Sequence, residues 1–449
     1  MHYKELGTQR FNIRKDKWLV IYMFLAIFQP PFIPIPFIYL LGAYTFIWLY
    51  YNTNITAFNL LRESQIIWIA KLFLFFFFYI MIFGTIDMAL INHADTLSTR
   101  LRSINQLLVL SFIEFGFIWY LLIEFRRREF SLIDIFTVII LAGILQGIFA
   151  LFAFLVPELR NLFMTFGDKN LYENSYYRER RGYGFSINLI DTFGYGMGLI
   201  AGYTLIIPWT KNKIKKWLAL LILLFTIVVN ARTGIVIFLI AIVVKVFINR
   251  SIGKTLLYTA IAILAAIWLG SLIPFIIDLG LNSKNATISW ISNSFNDMYL
   301  LLSVGNPNQM ELDEVGFLDN FIGLPDNLYE LIFGTGHHVY DTNKTLGFRT
   351  DIGYLNLFWE FGIIGGATLL ITLFWFIIKP AFTTTNTIIR RISIFNLFSY
   401  VLVLMKAILI GFNPGVFINY TATFCLYYCL YNNKHIAEKK CVNNHLSQL

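Results

Sequence analysis

The sequence predicts an all-α polytopic membrane protein of about 12 transmembrane helices, with two long loops on its outward side. Three observations predict this. Of 449 residues, 57% are hydrophobic and only 14% charged, where a soluble domain is about half apolar and about a quarter charged. Apolar runs of spanning length recur along the whole chain, separated by short polar connections. The basic residues concentrate in alternate connections, which is the pattern that orients a polytopic chain in a bilayer.

A span needs about 20 apolar residues. The runs that meet this lie at 18–33, 35–51, 68–90, 104–124, 132–156, 188–208, 216–231, 233–249, 255–277, 352–378, 394–412 and 414–431. In the first two, Gln29-Pro30-Pro31, Pro34 and Pro36 interrupt the pattern, so two spans or one kinked element both fit. The polar, basic segment Met1–Lys17 precedes an apolar stretch with no small-residue cleavage site after it, which predicts a retained first span. With both termini inside, segments 1–17, 52–67, 125–131, 209–215, 250–254, 379–393 and 432–449 are cytoplasmic and hold most of the short-loop Lys and Arg. The short outward connections hold only Arg100, Arg102 and Arg232. The net charge of +9 is therefore an orientation signal, and nucleic acid is not an expected partner.

The outward loops are 157–187 and 278–351 within one integral membrane domain, 1–449. The second is too long for a passive connector and should carry helix of its own, with apolar patches at Met298–Leu302 and Leu328–Phe333. Of three cysteines, Cys425 and Cys429 fall in the last span and Cys441 in the tail. This placement provides neither a disulfide framework nor a zinc site. Asp-x-Asp, a nucleotide-binding Gly-rich loop and His-Glu-x-x-His do not occur, so a metal-nucleotide sugar site has no support, and no metal or other cofactor is expected.

Charged groups at a membrane surface are costly and usually functional, and three stretches collect them. The seventh and eighth runs are short, about 25 Å each at 1.5 Å per residue, so the turn Asn230-Ala-Arg232-Thr-Gly234 should lie just below the outer surface. Arg232 there either snorkels or faces a phosphate or carboxylate. Arg178, Arg180 and Arg181, followed by Gly182-Tyr-Gly-Phe185, form either a solvated loop or an anion-facing rim. Asp191 then reads as a carboxylate at a helix start. In the third stretch, Arg349-Thr-Asp351 runs into the tenth span, where Asp351 is either an N-cap or a reactive carboxylate.

Tyr354, Leu355 and Phe358 follow at helical spacing and read as packing residues, and Gly362 and Gly366 as a small-xxx-small pair for close helix contact. Glu360 should face the bundle or a water-filled cavity. His337 and His338 are adjacent and point in different directions, so by themselves they are no metal pair. Within spans, Lys71 and Lys245 lie near cytoplasmic ends and can snorkel, whereas Glu114 and Lys406 lie deeper.

The pattern resembles the Wzy-type O-antigen polymerases, in the superfamily that includes the O-antigen ligases. The resemblance is carried by the span count with two long outward loops, by the Arg-Thr-Gly turn at Arg232, and by Phe333-Gly-Thr-Gly followed by Asp351-x-Gly-Tyr-Leu355-x-x-x-x-x-x-Gly362-x-x-Gly365. Ligases carry a His-Asn pair where this chain has Asp351 and Ile352, which favours polymerase over ligase. The resemblance implies a metal-independent glycosyltransferase of GT-C-like architecture in a bacterial inner membrane, with periplasmic loops. Its substrates would be undecaprenyl-diphosphate-linked oligosaccharides, its surroundings membrane lipid, and its partner a chain-length-regulating co-polymerase. Arg232, with Arg178, Arg181 and Arg349, would hold the diphosphate, Tyr354 would lie beside the glycan, and Asp351 or His338 would accept the proton of the attacking hydroxyl. A polyprenol-linked glycan flippase is the competing class, and the long one-sided loops speak against it.

Overall fold

The computed structural model describes residues 11–30, 37–52, a set of positions between 71 and 86, 110–165, 184–186, 190–230, 233–248, 292, 327–335, 353–404 and 415–430. Among these residues the chain is helical throughout, with no strand. The helices are α1 (Ile13–Phe28), α2 (Phe37–Asn52), α3 (Leu74–Phe83), α4 (Leu110–Arg127), α5 (Leu132–Leu155), α6 (Pro157–Thr165), α7 (Ile190–Ile206), α8 (Lys213–Asn230), α9 (Thr233–Phe247), α10 (Leu328–Phe333), α11 (Gly353–Phe382), α12 (Thr387–Leu404) and α13 (Gly415–Leu430). By length and apolarity, Leu132–Leu155, Tyr354–Phe382 and Thr387–Leu404 are each able to cross a membrane. With bulky apolar side chains also on the outside, such as Ile47, Leu221 and Ile371, the described chain has the character of an all-α membrane protein. The run at 255–277 lies outside the described residues.

Local chemistry sets the boundaries. Asn12 caps α1 by accepting from the Arg14 amide at 3.0 Å, and Gln29 closes it in the left-handed conformation just before Pro30. The first two apolar runs carry two separate helices, α1 and α2. Ser131 and Asp134 form a capping box that starts α5.

Asp134 is fully buried and its Oδ1 also accepts from the Phe11 amide at 3.1 Å. Arg128, in the α4–α5 turn, pairs with Asp16 of α1 and with Glu124. The basic turn is therefore tied to the first helix by directed bonds. Asp134→Ala removes the reciprocal half of the capping box, about 1 kcal/mol at most, and strips a partner from the Phe11 amide. A lowered unfolding temperature in detergent is the expected result, with a smaller drop for Asp134→Asn, which keeps an acceptor.

The core is aromatic and glycine-pitted. Gly143 of α5 receives Ile200 of α7, Gly147 receives Ile222 and Thr226 of α8, and Gly198 of α7 meets Gly234 of α9. Gly415 of α13 lies under the ring of Tyr195, and Phe376 of α11 packs on Phe424 and Tyr427. A buried polar network links α7, α12 and α13. In it Tyr203 donates to Asn396 at 2.8 Å, Asn419 donates to Tyr195 at 3.2 Å, and the Tyr400 and Tyr420 hydroxyls are 2.8 Å apart. Directional bonds of this kind fix register where apolar packing alone would let helices slide.

These contacts set levels along the bundle. The C-terminal ends of α5 and α8 and the N-terminal ends of α7, α9, α11 and α13 share one end. At the other end, Lys216 and Lys245 both donate to the Leu205 carbonyl, at 3.2 and 2.9 Å. They satisfy the C-terminus of α7 as snorkelling cations should.

Candidate functional site: a broken helix met by a loop turn

Of the residues that the sequence singles out, Arg178, Arg181, Arg232, His338, Arg349 and Asp351 lie outside the described residues, as do Arg180, His337 and Lys406. Tyr354 is described. It sits half-buried in the first turn of α11, with its ring edge-on to Phe358 at 6.4 Å, so it packs along its own helix as its spacing predicts.

The elements flanking the others are described, and they gather at one end of the bundle. Gly184 lies against the backbone of Phe149 and Ala150 near the end of α5. Phe185 packs on Phe149 and Phe163, with centroids 4.7 and 4.0 Å away. The turn after the arginine triplet is thereby seated on α5 and α6. Asn230 ends α8 fully buried and donates to the Thr226 carbonyl at 3.0 Å. Thr233 begins α9 three residues later, with Gly234 against the Gly194 carbonyl of α7. The helices flanking Arg232 have 18 and 15 residues, about 27 and 22 Å. The second is short for a bilayer core of about 30 Å, as the sequence predicts.

The third element is a feature that the sequence does not announce. α11 is two helices joined across a kink at Gly362, whose φ of 65° and ψ of 179° belong to glycine-only space. The close helix contact expected at Gly362 is made, with Ile332 at the end of α10. The spacing does not show that the same residue also opens α11, with the turn after α10 set against its backbone. A Cβ on Gly362 would overlap the Ile332 carbonyl and lie 2.5 Å from the Gly334 nitrogen. Gly334 has φ 84° and ψ 165° in the same region, and a Cβ there would overlap the Glu360 carbonyl.

A helix break inside a membrane must satisfy the backbone groups it frees. Here the loop does so: Thr335 donates to the Trp359 carbonyl from its amide at 2.8 Å and from its hydroxyl at 3.0 Å. The segment Phe333-Gly-Thr335 and the segment Trp359–Gly362, far apart in sequence, are thus one backbone unit in space. Glu360 and Asn356, each 3% exposed, are buried on the first part of α11, before the break. Glu360 faces the interior as expected for a carboxylate at that depth.

α10 matches the expected helical content of the large loop at Leu328–Phe333, while Met298–Leu302 lies outside the described residues. Glu114 of α4 belongs to a separate place. It is buried beside the Tyr400–Tyr420 hydroxyl pair of the polar network.

No family model matches the chain, and no curated protein matches its sequence.

Proposed function

We propose that the chain is an O-antigen polymerase, a metal-independent membrane glycosyltransferase with about 12 spans in a GT-C-like arrangement. Both termini would be cytoplasmic and the two long loops periplasmic, in a bacterial inner membrane. The observation that carries the reading is the junction at Gly362. The Phe333-Gly-Thr half and the Gly-Tyr-Leu…Gly half of the signature that resembles Wzy-type polymerases meet there as one unit. The same end of the bundle receives the chain flanking Arg178, Arg181 and Arg232. Discontinuous helices in membranes are built where a substrate must be met by backbone as well as side chains.

In the proposed reaction a growing glycan leaves undecaprenyl diphosphate and joins the non-reducing end of a new lipid-linked repeat unit. The bond from the anomeric carbon to the diphosphate oxygen breaks, and a bond to the acceptor hydroxyl oxygen forms. The hydroxyl proton passes to Asp351 or His338. Negative charge accumulates on the departing diphosphate, and Arg232, with Arg178, Arg181 and Arg349, holds it through bidentate contacts. In sequence, Asp351 is two residues upstream of α11 and His338 three beyond Thr335. The lipid tails lie between spans, and a chain-length-regulating co-polymerase is the proposed partner.

A lipopolysaccharide gel from a strain lacking the gene tests the reading. The expected pattern is a core band carrying a single repeat in place of the full ladder, because repeats are still made, flipped and ligated. Loss of all O-antigen with long glycan retained on the carrier would instead identify a ligase. Repeats stranded on the cytoplasmic side would identify a flippase.

A further inference from the structure

The break in α11 has a third participant, and it comes from neither half of the signature. Tyr79 of α3 is 7% exposed, and its hydroxyl lies 2.9 Å from the Phe361 carbonyl and 3.1 Å from the Phe333 carbonyl. The Gly365 amide interacts with the same oxygen. In an unbroken helix, Phe361 C=O and Gly365 N–H would bond to one another. The phenol lies beside this pair at the break and donates to the carbonyl. A side chain inserted into the main-chain ladder is one of the recognised causes of a sharp helix break.

The single phenolic proton is shared between two carbonyls, one on α11 and one at the C-terminus of α10. The hydroxyl therefore joins the opened membrane helix to the loop turn. Its surroundings support that placement. Phe83, one turn further along α3, stacks on Phe333 at 4.7 Å and 6°. Tyr329 donates to the Phe83 carbonyl at 3.1 Å, and Phe76 meets Phe361 edge-on at 5.2 Å. Gly365 leaves room for the ring: a Cβ there would be 3.0 Å from Tyr79 Cζ. A clamp of this form is specific to a tyrosine, since phenylalanine fills the same volume but leaves both carbonyls without the donor.

We propose that Tyr79 is a positioning residue of the transfer site. Its hydroxyl holds the 333–335 turn in the break of α11 and thereby sets how the two halves of the signature sit against one another. The role in transfer rests on the polymerase reading above, whereas the clamp itself does not. Small displacements of groups that orient reactants cost rate far more than binding, about 100-fold for a shift of about 1 Å.

The experiment compares the full-length protein, Tyr79→Phe and Tyr329→Phe in lipid nanodiscs. Backbone hydrogen exchange is followed at residues 328–335 and 359–365, alongside transfer kinetics with a lipid-diphosphate-linked repeat unit. Tyr79→Phe is expected to exchange at least about fivefold faster in both segments, with exchange elsewhere unchanged. Its kcat should fall about 10- to 100-fold, with KM within about twofold. Tyr329→Phe loosens α10 without touching the break and should leave kcat near the starting value.

Unchanged exchange in Tyr79→Phe would overturn the clamp. Faster exchange with kcat unchanged would overturn the positioning role. Faster exchange throughout the molecule, with equal loss of activity in Tyr329→Phe, would make Tyr79 a general stability residue and overturn the proposal. If the unaltered protein transfers no glycan, the polymerase reading and the positioning role fall together. The exchange result would then still decide the clamp.

Discussion

Gly362→Ala is expected to collapse the O-antigen ladder to a single-repeat band, and Gly334→Ala to do the same. Each glycine holds a backbone conformation that costs another residue about 1–3 kcal/mol. Strain of that size alone would be survivable. The added Cβ, however, has no space: at Gly362 it overlaps the Ile332 carbonyl, and at Gly334 the Glu360 carbonyl. Main-chain atoms cannot rotate aside as a side chain can, so the loop turn must leave the break. The Trp359 carbonyl then loses both bonds from Thr335. Ile364→Ala, at an exposed position two residues further on, should leave the ladder intact. Gel patterns alongside size-exclusion profiles of the purified variants separate loss of the junction from loss of the fold. A full ladder from Gly362→Ala would show that the break is dispensable for polymerisation.

Arg232→Ala is expected to lower polymerisation about 100- to 1,000-fold, the usual consequence of removing a donor aimed at developing negative charge. Protein level and insertion should be unchanged, because the helix ends on either side are held without Arg232, α8 by the bond of Asn230 to Thr226 and α9 by the contact of Gly234 with α7. Arg232→Lys distinguishes charge from geometry. Lysine keeps the charge but loses the planar fork that binds two phosphate oxygens together, so partial activity, between that of Arg232→Ala and the unaltered protein, is expected. Quantifying polymer per cell in the two variants checks both statements. A fully active Arg232→Ala would remove the phosphate-holding role from this residue.

Much of the helical layout is legible in the residues themselves. The run at 132–156 appears as α5 at Leu132–Leu155, and the run at 414–431 as α13 at Gly415–Leu430. A long apolar stretch has few ways to satisfy its backbone other than by helix formation. Glu360 is buried, as the cost of a carboxylate at that depth dictates. At Gly362 the close contact is legible and the break is not: a Gly-x-x-x-Gly spacing reads as helix packing, and glycine is silent about which of its allowed conformations it will adopt.

By itself the sequence determined the class: apolar length dictates helices that can cross a membrane, and the spacing of basic residues carries the expected orientation. Only the tertiary structure decided that α11 is broken and that Tyr79, 254 residues before Phe333 and 282 before Phe361, donates to a carbonyl on each side of the junction. The reason is physical. A ladder hydrogen bond is local and is implied by its own segment. A hydroxyl that replaces one is supplied by another helix, and its position exists only once the helices have packed.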